Sequence, residues 1–148
     1  MLHFPNQAQP DLVGFADIRP HPIADWQQYR REGQQYLDLA QAAFLREKKA
    51  FTTEILYNLI AMAIEKLVMA ALMEIGRLPY NHTMHDLVAA LKQWLPETIQ
   101  GLEAQVCSLD RYQDICDPYA WSIRIPTRDE IQTMLELARN LEQRLNAR

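Results

Sequence analysis

Residues 53–96 constrain the fold more than any other part of the chain: TEILYNLIAMAIEKLVMAALMEIGRLPYNHTMHDLVAALKQWLP. The first half reads as a long helix, apolar on nearly every side, with a Glu65–Lys66 pair at its centre. A helix that is oily all round has to be covered by other elements. An acid within it costs free energy unless a counter-charge or hydrogen bond compensates it. The expectation is a helical bundle in which Glu65 meets an Arg or Lys from a later helix. Gly76 supplies the stop and Pro79 bars continuation. His85 and Asp86 then open the next helix.

Apolar residues recur at helical spacing on both sides of this stretch. Trp26, Tyr29, Gly33, Tyr36, Leu37, Ala40 and Phe44 place one buried stripe on a helix over about 26–48, with Asp25 as N-cap. Gly33 is costly in a helix interior and suits a close crossing there. The basic turn Arg46, Glu47, Lys48, Lys49 is expected to complement the end of this helix. The apolar helix spans about 51–75, and the next starts at Thr83, with Thr83 and Asp86 spaced to cap. Pro96 opens a further helix carrying Ile99, Leu102, Val106, Leu109 and Cys116. Thr127 and Glu130 form a capping box for a last helix with Ile131, Met134, Leu135, Ala138, Leu141 and Leu145 on one face. The predicted fold is therefore all-α: an antiparallel up-and-down bundle of four long helices plus one shorter helix over 26–148. Residues 1–25 hold four of the eight prolines and form an arm expected to lie against the bundle or a neighbouring subunit.

Composition narrows the function classes. A chain of 148 residues, 49% hydrophobic and 23% charged, is an ordinary globule of one domain. A net charge of −4 argues against a general polyanion binder. Cys107 and Cys116 match neither a CxxC pair nor a zinc-ligand spacing. With no basic, apolar leader in MLHFPNQAQPD, a cytoplasmic location is expected. Glu65, Lys66 and Glu74 interrupt the apolar run, so no membrane span is expected. Only four glycines are present, and no glycine-rich phosphate loop, GxSxG elbow or HExxH occurs.

Three polar groups stand out. At 100° per residue, Glu54, Asn58 and Glu65 fall within roughly 40° of one another and make one polar stripe. His82, His85 and Asp86 cluster in sequence, but without a Glu-x-x-His partner they predict no metal site. The expected roles there are a hydrogen bond from His85 to a neighbouring helix and a cap from Asp86. The segment LDRYQDICDPYAW brings Arg111, Tyr112, Asp114, Asp117, Tyr119 and Trp121 together. A guanidinium among aromatics suits a phosphate beside a flat base. Arg111, Tyr112, Asp117 and Tyr119 are the candidate nucleotide or phosphate contacts; Glu65, Asn58, His85 and Asp86 are the candidate polar core. No cofactor is expected.

The helix AIEKLVMAALMEIGRLP, the His-x-x-His-Asp-Leu turn after it, the Leu-Asp-x-Tyr-like end near 109–112 and the final DEIQTMLELARNL helix resemble the HEPN superfamily over about residues 26–146. The resemblance implies a helical bundle that dimerises. It also implies a link to nucleotides or RNA, and pairing with a minimal nucleotidyltransferase in a toxin–antitoxin system. Active members of that family are metal-independent ribonucleases with an Arg followed by a His after four to six intervening residues. In that site His acts as general acid or base and Arg holds the phosphate. Here Arg111 is followed at those positions by Cys116, Asp117 and Pro118, and no His follows His85. The reading is thus a non-catalytic partner or nucleotide module, acting as a homodimer. Two alternatives stand beside it. One is a ribonuclease with a displaced set, Arg77 with His82 or Arg111 with His85. The other is a structural adaptor that uses its arm for contact.

Overall fold

The computed structural model describes residues 20–116, 119 and 124–148. All regular structure among them is helical. Helix α1 spans Trp26–Leu45 and α2 spans Thr53–Glu74. They pack as an antiparallel hairpin, tied by Arg30–Glu74 at 2.8 Å and Lys66–Glu32 at 2.7 Å. Gly33 makes the crossing close, as its place in the stripe predicts. A Cβ there would sit 2.8 Å from Leu67 Cγ and 3.1 Å from the Ala63 carbonyl oxygen.

Asp25 does not cap α1 with its side chain. Its backbone is left-handed (φ 68°), away from the extended geometry that aims a capping carboxylate at the helix. Its carbonyl accepts from Gln28 and Tyr29 instead. At the other end α1 stops three residues earlier than the periodicity suggests. Glu47 turns left-handed (φ 50°), and Lys48 N–H donates to Ala43 while Glu47 N–H donates to Phe44. This is a Schellman end built without glycine. Helix α2 ends the same way around Gly76 (φ 72°), with Arg77 N–H on Leu72 and Gly76 N–H on Met73. Here glycine is required twice over, because a Cβ would also lie 2.4 Å from the His21 carbonyl oxygen. Residues 20–25 lie against this end of α2, with Ile23 N–H on Met73. Residues 1–19 of the arm lie outside the described residues.

Helix α3 spans Met84–Trp94. The connection before it doubles back along α2, so that His82 meets Glu65, nine residues or about 13 Å before the end of α2. Met84 then lies by Tyr57 and Ala61, and Trp94 lies under Arg77. Thus α3 advances in the same sense as α2, where a simple up-and-down order expects the reverse. Residues 96–116 depart from expectation too. One helix is predicted, yet three pieces form: α4 at Pro96–Ile99, α5 at Glu103–Cys107 and a 3-10 helix at Ser108–Cys116. Gln100 is extended (ψ 121°) and Gly101 left-handed (φ 79°), which breaks the rod. Ile99, Leu102, Val106 and Leu109 still face the core, and the side chain of Cys116 lies outside the described residues.

Helix α6 spans Arg128–Asn146 and begins with the predicted Thr127–Glu130 capping box. It runs antiparallel to α1, with Arg139 on Asp38 and Arg128 on the Phe44 carbonyl, and ends at α2 with Arg148 on Glu74. Helix α2 is the spine, with twelve buried residues. It is the one helix among the described residues long and apolar enough to cross a membrane, and most of it is covered by the rest of the chain. Thr98 is the single buried polar residue among those described, its hydroxyl given to the Leu95 carbonyl.

Candidate functional site

The polar stripe of α2 faces a cleft of about 390 Å³. Asn58 and Glu65 lie seven residues apart, so two helical turns bring them to one face. Ala61 and Met62 fill the wall between them, and His82, Met84, Asp110 and Gln113 close the other side. Glu54 stands apart from this group. It sits in the first turn of α2, where hydrogen bonds from its own backbone N–H and then from Thr52 hold its carboxyl below the usual range. Its role is to complement the helix N-terminus.

Glu65 does not meet an Arg or Lys from a later helix. Its partner is His82 Nδ1 at 2.5 Å, carried by the connection before α3. The imidazole is 61% exposed and the carboxylate 33%, so the acid sits at the rim of the bundle and not in its interior. Such a pair is worth at most about 1 kcal/mol. Lys66 turns the other way, onto Glu32 and the Tyr29 ring. The central polar pair of α2 is thus split between two neighbours. Neither charge needs burial, because both occupy positions at the edge of the helix's covered face.

Asp110 is the residue that the sequence reading missed, and it organises the site. Its carboxylate accepts from Met84 N–H at 2.9 Å, from His85 N–H at 3.0 Å and from His85 Nδ1 at 2.5 Å. The first two are orphan donors at the start of α3. Thr83 caps as expected by accepting from Asp86 N–H at 3.1 Å. Asp86 answers the Thr83 hydroxyl at 2.8 Å. So α3 has a local cap and a second one delivered from 25 residues away. No local spacing signals such a cap. His85 does bond a neighbouring segment, as predicted, and lines an open groove with Lys92 and Cys107. Burial, and then the charge of Asp110, push the Cys107 thiol up, so it stays protonated at neutral pH and is no activated nucleophile.

The second candidate group, around Arg111, divides. Arg111 is exposed and lines a small groove of about 160 Å³ with Ser108, Tyr112, Glu130 and Thr133. Tyr112 is only 3% exposed. Its ring packs on Tyr57 at 5.2 Å under the Arg124 guanidinium, so it has no open face for a base. Burial, then Glu130, push its phenol above the ordinary range. Tyr112 is a core residue with an anchored hydroxyl, and its aromatic neighbours in sequence gave a false cue. Tyr119 is 87% exposed. Asp117 and Trp121, and the side chain of Asp114, lie outside the described residues. Arg77 does not meet His82; its guanidinium lies 3.7 Å over the Trp94 ring. Among the described residues no three His, Cys, Asp or Glu side chains gather as metal ligands. The arrangement offers two imidazole–carboxylate pairs beside an amide-lined cleft, with the Arg77 guanidinium engaged on Trp94.

No family model matches the chain, and no curated protein or solved structure matches it.

Proposed function

We propose that this chain is a non-catalytic binding module: a HEPN-like bundle that works as a homodimer in the cytoplasm. It holds a nucleotide or RNA phosphate at Arg111, or docks a nucleotidyltransferase-like protein in a toxin–antitoxin type of pair. The observation that carries the non-catalytic part is the pairing of the imidazoles. His82 faces Glu65, His85 faces Asp110, and Arg77 is stacked on Trp94. Cleaving a phosphodiester in the HEPN manner needs an Arg to hold phosphate beside a His that moves the proton. No such Arg–His contact occurs among the described residues. The exposed Arg111 supports the phosphate contact, with Tyr119 as the exposed ring of the segment.

The test combines two assays on the full chain. Incubation with total RNA should leave the RNA intact. A nucleotide panel should raise the melting temperature by several degrees for at least one member, and Arg111→Ala should remove that shift. RNA cleavage lost in His85→Ala would establish the displaced-site ribonuclease instead. A flat nucleotide panel together with no nucleotidyltransferase-like partner would leave the structural adaptor.

A further inference from the structure

The cleft along the polar stripe of α2, about 390 Å³ in volume, holds more hydrogen-bond acceptors than the chain uses. Glu65 gives one carboxylate oxygen, Oε1, to His82, and its Oε2 has no partner among the described residues. Gln113 donates its side-chain N–H to Asp110 at 3.2 Å, which leaves its carbonyl Oε1 unmatched. Asp110 itself is spent, since Oδ1 accepts from Met84 and Gln113 while Oδ2 accepts twice from His85. Its negative charge still stands in the cleft wall. The Tyr57 hydroxyl is given to the Leu109 carbonyl. Among the described residues no Lys or Arg lines the cleft.

The walls limit what can answer those acceptors. Ala61, Met62 and Met84 form the apolar side, and Met62 is open to solvent there. An anion would face two carboxylates and no cation other than an imidazole. An apolar ligand would strip water from Glu65 and return no donor. A metal ion finds no set of three His, Cys, Asp or Glu ligands among the described residues. What fits is a donor-only cation on an apolar stem. An ammonium is a compact, strongly hydrated point charge. A guanidinium donates along its edge to separate acceptors and lays a weakly hydrated face on an apolar wall, and polarisable thioethers suit that face. His82 stands at the rim, largely exposed, so its pair with Glu65 yields at small cost.

We propose that this cleft binds an alkylguanidinium, the group that ends an arginine side chain. Its stem lies along Ala61 and Met62, and its N–H groups answer Glu65 Oε2 and Gln113 Oε1. The charge of Asp110 favours the same occupant without giving it a hydrogen bond. The group has two sources, an arginine on the surface of a partner protein and a small free guanidine. The site is separate from Arg111 and does not depend on the function proposed there.

The test uses the full chain, with binding read from the NMR shifts of the Met62 and Met84 methyl groups. N-acetyl-arginine amide carries the group as a protein presents it, and butylguanidinium carries it free. N-acetyl-citrulline amide is the neutral isostere, and butylammonium has the charge without the planar fork. Both guanidinium probes should move the two methyls and bind about tenfold more tightly than citrulline. Glu65→Gln should remove that preference. Glu54→Gln, at the helix N-terminus and outside the cleft, should leave it unaltered. Thermal melts of both variants confirm folding. Tighter binding of acetyl-arginine amide than of butylguanidinium supports the proposal with a protein as the source; the reverse order supports it with a free guanidine. Citrulline binding as tightly as arginine overturns it. So does butylammonium matching the guanidinium probes, a preference that survives Glu65→Gln, or no methyl shift with any probe. A failure here beside a positive Arg111 nucleotide shift sinks the cleft and leaves the nucleotide reading intact.

Discussion

The α1–α2 hairpin and the 96–116 segment bury apolar side chains equally well, yet they are built by opposite means. In the hairpin, two continuous helices meet because Gly33 removes the one side chain that would hold them apart. Each helix ends in a turn made from its own backbone. In 96–116 the backbone is in three pieces, and the last of them is tied to distant groups. Tyr57 donates to the Leu109 carbonyl at 2.9 Å, and Asp110 reaches across to cap α3. The hairpin is a packing solution; the segment is a polar one. The difference teaches where each should fail. The hairpin fails sterically and the segment fails by leaving donors without partners.

The largest effect should come from breaking the close crossing. Gly33→Leu cannot be accommodated against Leu67 and the Ala63 carbonyl without parting the helices, and should cost about 3 kcal/mol in urea unfolding. Gly33→Ala sharpens the point, since its helix-propensity gain of about 1 kcal/mol opposes the clash. If the leucine variant is as stable as the parent, the hairpin is not held by this contact. A smaller loss, about 2 kcal/mol, is expected for Asp110→Ala, which strands two N–H groups and the His85 ring. Hydrogen exchange should then speed up at the Met84 and His85 amides while the α1–α2 amides stay protected. Uniform acceleration along the chain would mean that the two regions unfold as one.

The smallest effect is a pH effect at the start of α6, beside the 96–116 segment. Glu130 receives Thr127 N–H and pairs with Arg124; the backbone bond first, then the guanidinium, hold its carboxyl below the ordinary 4.5 against the opposing cost of burial. A depressed carboxyl adds stability that is complete above the unfolded value and is lost as pH falls below it towards the folded value. Glu130→Gln should therefore lower stability at neutral pH by about 0.5 kcal/mol and flatten the acid limb below pH 4.5. An acid limb identical to the parent's would remove Glu130 from the account.

Much of this was legible in the chain itself. The all-helical class, the stripes on α1 and α6, the Thr83 and Thr127 caps, the Gly76 stop and the role of α2 as spine follow from spacing, because helix faces and caps depend on residues three or four apart. Periodicity also marked Ile99, Leu102, Val106 and Leu109 as buried, while saying nothing about Gln100 and Gly101 breaking the rod. The candidate site was legible only in part. Asn58 and Glu65 share a face by helix geometry alone, but Glu65 found His82 because the connection before α3 folds back, a path no local pattern prescribes. Tyr112 looked like a stacking ring and became core because Tyr57 and Arg124 close over it.

By itself, then, the sequence determined which stretches are helices, where most of them start and stop, and which side of each is oily. These are short-range properties, set within one or two turns of backbone. Only the tertiary structure decided that α3 advances alongside α2, that Asp110 caps it from 25 residues away, and that acceptors of Glu65 and Gln113 stand unspent in one cleft. Those outcomes depend on which surfaces meet, and on which polar groups that meeting leaves to be satisfied.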